Sequence, residues 1–375
     1  MPGEWKQTRF TRLAGIDLPI VLGAFGGASS TALVAAVSNA GGLGSFGLYG
    51  MGPDAITRTA TEIRAQTSEP FLFNLWLPLD DTGAERSLAD AAATSETDAD
   101  ADAYNLALEP LTQYFTELGL PLPERPERYL VPFDEQIDAT IAAHPSALSF
   151  VYGVPDAALV DRCHSAGIRV VGTATTVAEA RALDAVGVDA IIATGFEAAG
   201  HRVSFLEPAE DSLVGTIALV PRVVDAVRVP VIAAGGIADG RGVAAVLALG
   251  ASAAQLGTAF LACDESAANP PHRTALWEQS QSTSVHAIDE TVLTRAFSGR
   301  LARGIPNRMS RELNGEYAAF PVQGWITGYL KRAAAATGNP DFTSLWAGQG
   351  VSLIREHTAA AVVEAIIHDV DAILR

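Results

Sequence analysis

Cysteine is almost missing from this chain: Cys163 and Cys263 are the only two in 375 residues. Two thiols build no disulfide framework, and no CxxC or Cys/His pair has metal-ligand spacing, so no metal is expected. Lysine is as scarce, with only Lys6 and Lys331, and 25 cationic residues face 43 acids for a formal charge of -18. Such a surface repels a phosphate backbone and an anionic bilayer, which argues against nucleic-acid and membrane partners. The N-terminus lacks a basic region followed by an apolar one, so no signal peptide is read and a cytoplasmic location is expected. Uninterrupted apolar runs are lacking too. Leu18 to Pro53 is charge-free but broken by many glycines, and Gly242 to Cys263 switches from a helical to a strand pattern at Gly250. Both read as buried core rather than membrane spans. No period of about 20–50 residues recurs, which excludes a solenoid.

What is present is a chain 49% hydrophobic with 34 glycines. Short apolar strands alternate with amphipathic helices, the pattern of a parallel α/β structure. Strands are expected at Pro19–Phe25, Leu43–Phe46, Phe71–Leu77, Ala147–Gly153, Ile168–Thr173, Ala190–Gly195, Pro230–Gly235 and Ala254–Phe260. Most are followed by a helix stopped at glycine, as after Ala166, Val186 and Leu249. Eight such units predict a (β/α)8 barrel over 1–268. Within it, about 78–130 reads as an acidic, Ala- and Pro-rich surface insertion or lid. Residues 269–375 read as a helical lid subdomain ending in the amphipathic helix Ala359–Leu374. Gly42-Leu-Gly-Ser-Phe-Gly47 fits the dinucleotide fingerprint, but a helix precedes it and a strand runs through it, so it reads as a tight helix-to-strand turn.

In such barrels the reacting groups lie at the C-terminal strand ends. There the sequence places Gly23, Ala24 and Phe25 after the first strand, Asn74 in the third, and Thr194-Gly-Phe-Glu-Ala-Ala-Gly-His201 after the sixth. Gly235 and Gly236 follow the seventh, and Gln255, Leu256, Gly257 and Thr258 lie on the eighth. The glycine pairs can be plain turns, but their coincidence at strands seven and eight favours a phosphate on bare amides. His201 is either a solvated loop side chain or, titrating near neutrality at the rim, a general base. Glu197 either orients it or is a surface acid. Arg202 and Arg295–Arg308 are candidates for a local positive potential or solvated surface charge.

At these residues the chain resembles the nitronate monooxygenase (2-nitropropane dioxygenase) family, and its class I bacterial type in particular. The resemblance is carried by Gly195-Phe-Glu-Ala-Ala-Gly-His-Arg202, Pro230-Val-Ile-Ala-Ala-Gly-Gly-Ile-Ala-Asp-Gly-Arg-Gly242, Gln255-Leu-Gly-Thr-Ala-Phe260, Ser298-Gly-Arg-Leu-Ala-Arg-Gly-Ile-Pro-Asn307 and Leu345-Trp-Ala-Gly-Gln-Gly350. It implies an FMN-containing TIM barrel that oxidises alkyl nitronates, with neutral nitroalkanes as further candidate substrates, using O2 to give a carbonyl compound and nitrite. One electron would pass to the flavin and His201 would be the base. It also implies that Asn74 bonds the flavin ring, that Gly235, Gly236 and Gln255 to Thr258 hold the phosphate, and that Gly348 and Gln349 approach from the lid. Thr194, Ala199 and Phe25 replace the family's usual Gln, Gly and Met beside the cofactor, and Gly200 completes that turn. A flavin-dependent enoyl-thioester reductase and a flavin-binding protein without turnover are the alternatives. The sequence leaves the oligomeric state open, a homodimer included.

Overall fold

The computed structural model describes residues 3–78, 104–282, 291–313, 315 and 317–374; the acidic tract at 84–103 lies outside the described residues. Eight strands form the barrel: β1 (Ile20–Leu22), β2 (Gly44–Gly47), β3 (Phe71–Trp76), β4 (Ala147–Val151), β5 (Arg169–Ala174), β6 (Ala190–Thr194), β7 (Val231–Ala234) and β8 (Ala253–Leu256). They pair in parallel in the order β1-β8-β7-β6-β5-β4-β3-β2. A parallel bridge between Val21 and Leu43 closes the ring. The expected eighth strand ends early, because Gly257 turns the chain into the short helix Thr258–Leu261.

Helix starts follow capping chemistry. Ser30, Asp156, Thr176 and Asp239 accept backbone N–H groups at the starts of Thr31–Asn39, Ala157–Ser165, Val177–Ala185 and Gly240–Ala248. Each such cap contributes about 1 kcal/mol. The dinucleotide-like glycines serve packing instead: a Cβ on Gly47 would stand 2.8 Å from the Phe25 carbonyl oxygen. Helix Thr31–Asn39 precedes that motif and β2 runs through it.

The barrel interior has two layers. Strand alternation sends Val21, Leu43, Leu72, Ala147, Val171, Ile192 and Ala253 into one apolar cluster, sealed below by Phe10 and Ile16. Two residues further along each strand, the same alternation turns Ser45, Asn74, Ser149, Thr173, Thr194 and Gln255 inward. The floor is therefore apolar, and the C-terminal end is polar.

Two departures concern what surrounds the barrel. The last helix, Ala359–Ile373, is no lid: Val362, Val363, Ile366 and Val370 join the core between sheet and helices. It packs between Gly240–Ala248 and Thr31–Asn39, filling the place left by the short helix after β8. The insertion is not only surface either. Tyr104, Leu108, Leu111, Tyr114 and Phe115 build a second apolar core with Phe297, Met309, Val322, Ile326, Leu330 and Phe342. Among the described residues no helix is long and apolar enough to cross a membrane.

Candidate active site

The rim of β6, β7 and β8 is drawn together by residues without side chains. Gly235 and Gly236 have φ of 107° and 71°, which glycine adopts without strain. A Cβ on Gly235 would stand 2.9 Å from Thr216 Oγ1 and 3.0 Å from the Gly195 carbonyl oxygen. A Cβ on Gly23 would stand 3.0 Å from Gly257 Cα and 3.2 Å from the Phe25 ring. From the C-terminal segment, Gly348 donates its N–H to Thr258 Oγ1 at 2.9 Å. A Cβ there would fall 2.8 Å from the Glu197 carbonyl oxygen and 3.2 Å from Ala199 N. Gly23, Phe25, Ala199, Gly235, Gly236, Gly257, Thr258 and Gly348 thus form one ring of small groups and backbone, with Ala24 half-buried beside it. Below it Asn74 donates to Ser149 Oγ at 2.9 Å, and Gln255 donates to the Leu22 carbonyl at 3.3 Å. Leu256 turns its side chain into the helix layer. Gln349 donates its backbone N–H to the Glu197 carbonyl at 2.9 Å, and its side chain is exposed.

Glu197 neither orients the histidine nor stands free. Its carboxylate accepts from Thr216 N at 2.9 and 3.0 Å and from Thr216 Oγ1 at 3.0 Å, tying the loop to the start of helix Thr216–Val224. Arg202 is likewise structural rather than a source of potential for an anion. It is buried and donates to the carbonyls of Thr194 at 2.7 Å, Ser212 at 2.5 Å and Thr175 at 3.3 Å. Burial pulls its pKa down to about 10 while Glu179 and Glu197 oppose the shift, so it stays cationic at neutral pH.

His201 does not sit on a free loop. Gly200–His201 is a short strand paired antiparallel with Ala302–Gly304, which pairs in turn with Val292–Thr294. Gly304 also bridges Trp346. The C-terminal region therefore holds the histidine through backbone. Its Nε2 lies 2.8 Å from Ser298 Oγ, and its ring meets Trp76 at 5.2 Å and Trp346 at 5.4 Å between centroids. His272 donates from Nε2 to the Trp346 carbonyl at 2.8 Å, fixing that wall. Burial, then the charges of Arg300 and Lys331, push the His201 pKa down to about 3. The imidazole is neutral at physiological pH rather than titrating near it, as its residue type suggested.

Trp76, Ser298 and Trp346 escaped sequence reasoning as site residues. Trp76 had a signal: it lies two residues beyond Asn74 on β3, hence on the same inward face at the strand's end. Ser298 and Trp346 lie in segments that carry the family resemblance, but nothing local marks them as neighbours of His201.

Comparison with known proteins agrees with this architecture. The family model described as Nitronate monooxygenase matches residues 7–369. A Staphylococcus aureus (strain MSSA476) protein described as "Probable nitronate monooxygenase" is 36% identical over 375 residues, covering 99% of each chain. Among solved structures, nitroalkane oxidase from Streptomyces ansochromogenes is 36% identical with a TM-score of 0.82, covering 97% of this chain and 98% of its own. FabK from Thermotoga maritima is 29% identical with a TM-score of 0.72, covering 98% of this chain and 97% of its own. With a closed (β/α)8 barrel and family likeness along nearly its whole length, the chain belongs to the nitronate monooxygenase family of oxidoreductases.

Proposed function

We propose that this enzyme uses FMN at the barrel mouth to oxidise alkyl nitronates with O2, yielding a carbonyl compound and nitrite. The observation that carries this reading is the neutral His201, held between Trp76 and Trp346 beside the glycine ring at the ends of β7 and β8. The ring fits a phosphate. Gly235 and Gly236 leave backbone open where a Cβ would intrude, and the buried Thr258 opens a helix whose first N–H groups have no intrahelical acceptor. The polar upper layer fits a flat heterocycle. Asn74 commits Nδ2 to Ser149 and keeps Oδ1 to accept, and Ser45 Oγ is buried without a partner among the described residues. FMN, when bound, supplies the electron-accepting ring and its reactivity toward O2.

The chain's own groups supply position and a proton acceptor. Ser298 Oγ accepts from His201 Nε2–H and passes its own proton toward the Arg300 carbonyl at 3.3 Å, leaving the Nδ1 lone pair free. A nitronate enters already deprotonated and asks only for positioning. A neutral nitroalkane asks Nδ1 to take its carbon proton first. The aromatic walls keep bulk water from both, which strengthens every polar contact inside.

The test is direct: protein loaded with FMN and given ethyl nitronate in air, without any nicotinamide nucleotide, releases nitrite. The alternative, an enoyl-thioester reductase on the same barrel, has the likeness to FabK in its favour. It predicts no nitrite and rapid anaerobic bleaching of the flavin by NADH or NADPH.

A further inference from the structure

Among the described residues, no acid neutralises the charge of Arg300. In a chain of 43 acids it forms no ion pair among the described residues, although its neighbours in the same basic segment do. Arg295 pairs with Glu210 at 2.9 Å, and Arg308 with Glu117 at 2.7 Å. Arg303 lies against Phe196 and donates to its carbonyl. The Arg300 guanidinium is instead clamped between two rings, 4.1 Å from the Tyr152 centroid and 3.9 Å from that of Phe320, with Trp76 at 5.6 Å. Ring contacts at these distances leave the edge of N–H donors as the polar part of the cation, and no acceptor takes it among the described residues. Tyr152, just beyond β4, holds φ of 69°, a left-handed conformation that a bulky residue adopts only under constraint. Strained backbone thus sits directly beneath the clamp.

A second cation looks onto the same wall. On helix Val322–Thr337, Gln323 and Thr327 each donate to a carbonyl of the segment before Ser298, those of Ala296 and Phe297, both at 2.6 Å. Lys331 follows one turn later on that face.

We propose that Arg300 is the substrate-positioning residue of this site, its planar fork receiving the O–N–O edge of the nitronate while Lys331 adds a second positive charge. The proposal rests on the nitronate reading above. A guanidinium edge matches two oxygens in one plane, which an ammonium does not, and stacking fixes that edge before substrate arrives. Desolvated clamping of this kind also holds the cation in place in an otherwise acidic protein.

The experiment compares wild type with Arg300→Met and Arg300→Lys, using two readouts. One is the split between KM and kcat for ethyl nitronate. The other is quenching of tryptophan fluorescence by nitrate, a planar oxyanion that probes binding without turnover. Arg300→Met is expected to raise KM and the nitrate Kd about 10- to 100-fold, with a smaller change in kcat and unchanged FMN content, as for loss of charge-assisted hydrogen bonds. Arg300→Lys, which keeps charge but loses the fork, should fall between. KM and nitrate Kd within about twofold of wild type in both variants would overturn the proposal. If Arg300→Met fails to fold, Arg300→Lys decides alone: a KM and nitrate Kd raised at least severalfold support the fork, and wild-type values overturn it. If the wild type released no nitrite, the nitronate reading would fall, while nitrate titration would still decide whether Arg300 binds a planar oxyanion.

Discussion

Replacing Gly348 with alanine probes how the C-terminal segment seals the barrel mouth. The new methyl group would stand 2.8 Å from the Glu197 carbonyl oxygen, 3.2 Å from Ala199 N and 3.3 Å from Thr258 Oγ1. Two of those atoms are backbone, so no side-chain rotation relieves the clash and the segment itself must move. Overpacking of this kind costs about 1–3 kcal/mol. Undocking the segment instead gives up two hydrogen bonds, Gly348 N–H to Thr258 Oγ1 and Gln349 N–H to the Glu197 carbonyl, both 2.9 Å. At about 1 kcal/mol each, that route costs about 2 kcal/mol, so the two routes agree. A ligand that needs the docked segment would then bind about 30-fold more weakly. Urea denaturation and FMN titration by flavin fluorescence measure both quantities. A Gly348→Ala protein with the wild-type midpoint and the wild-type FMN Kd would refute the packing described for this rim.

Three further outcomes are expected. His201→Asn should lower oxidation of a neutral nitroalkane about 10²- to 10⁴-fold while nitronate oxidation falls far less, as oxygen uptake with each substrate would show; equal losses contradict a base role. Burial, then the charge of Arg332, holds the Lys331 pKa near 8 against 10.5, so its ammonium is present below that pH and lost above it. KM for a nitronate should therefore rise between about pH 7 and 9. His201, with its pKa near 3, is neutral across that window and burial raises the pKa of Tyr49, so Lys331→Met should abolish the rise. A limb near pH 6.5 would instead show that His201 titrates as an ordinary imidazole. Phe115→Ala should cost about 3–5 kcal/mol in urea denaturation, because its ring is buried in the second core. A loss under about 1 kcal/mol would return the insertion to the surface.

The barrel was legible because its signals are local. Strands such as Phe71–Trp76 and Ala190–Thr194 are apolar runs bounded by breakers, and caps such as Asp156 and Thr176 mark helix starts. Glycines at Gly235, Gly236 and Gly257 marked the ends of β7 and β8 for the same reason. What stayed hidden depends on distant pairing. The strand Gly200–His201 is two residues long and exists only because Ala302–Gly304 lies beside it. The clamp on Arg300 joins residues from three segments, none of which is unusual alone. The buried half of the insertion did carry a signal. Leu108, Leu111 and Phe115 are spaced three and four apart, a helical stripe masked by the acidic, Pro-rich sequence around it.

The most direct test of the central claim is anaerobic mixing of the FMN-loaded enzyme with ethyl nitronate, followed by admission of air. Loss of the oxidised flavin absorbance on mixing with nitronate alone, then its return on aeration with nitrite formed, is the predicted result. A flavin spectrum indifferent to nitronate but bleached by NADPH would contradict it.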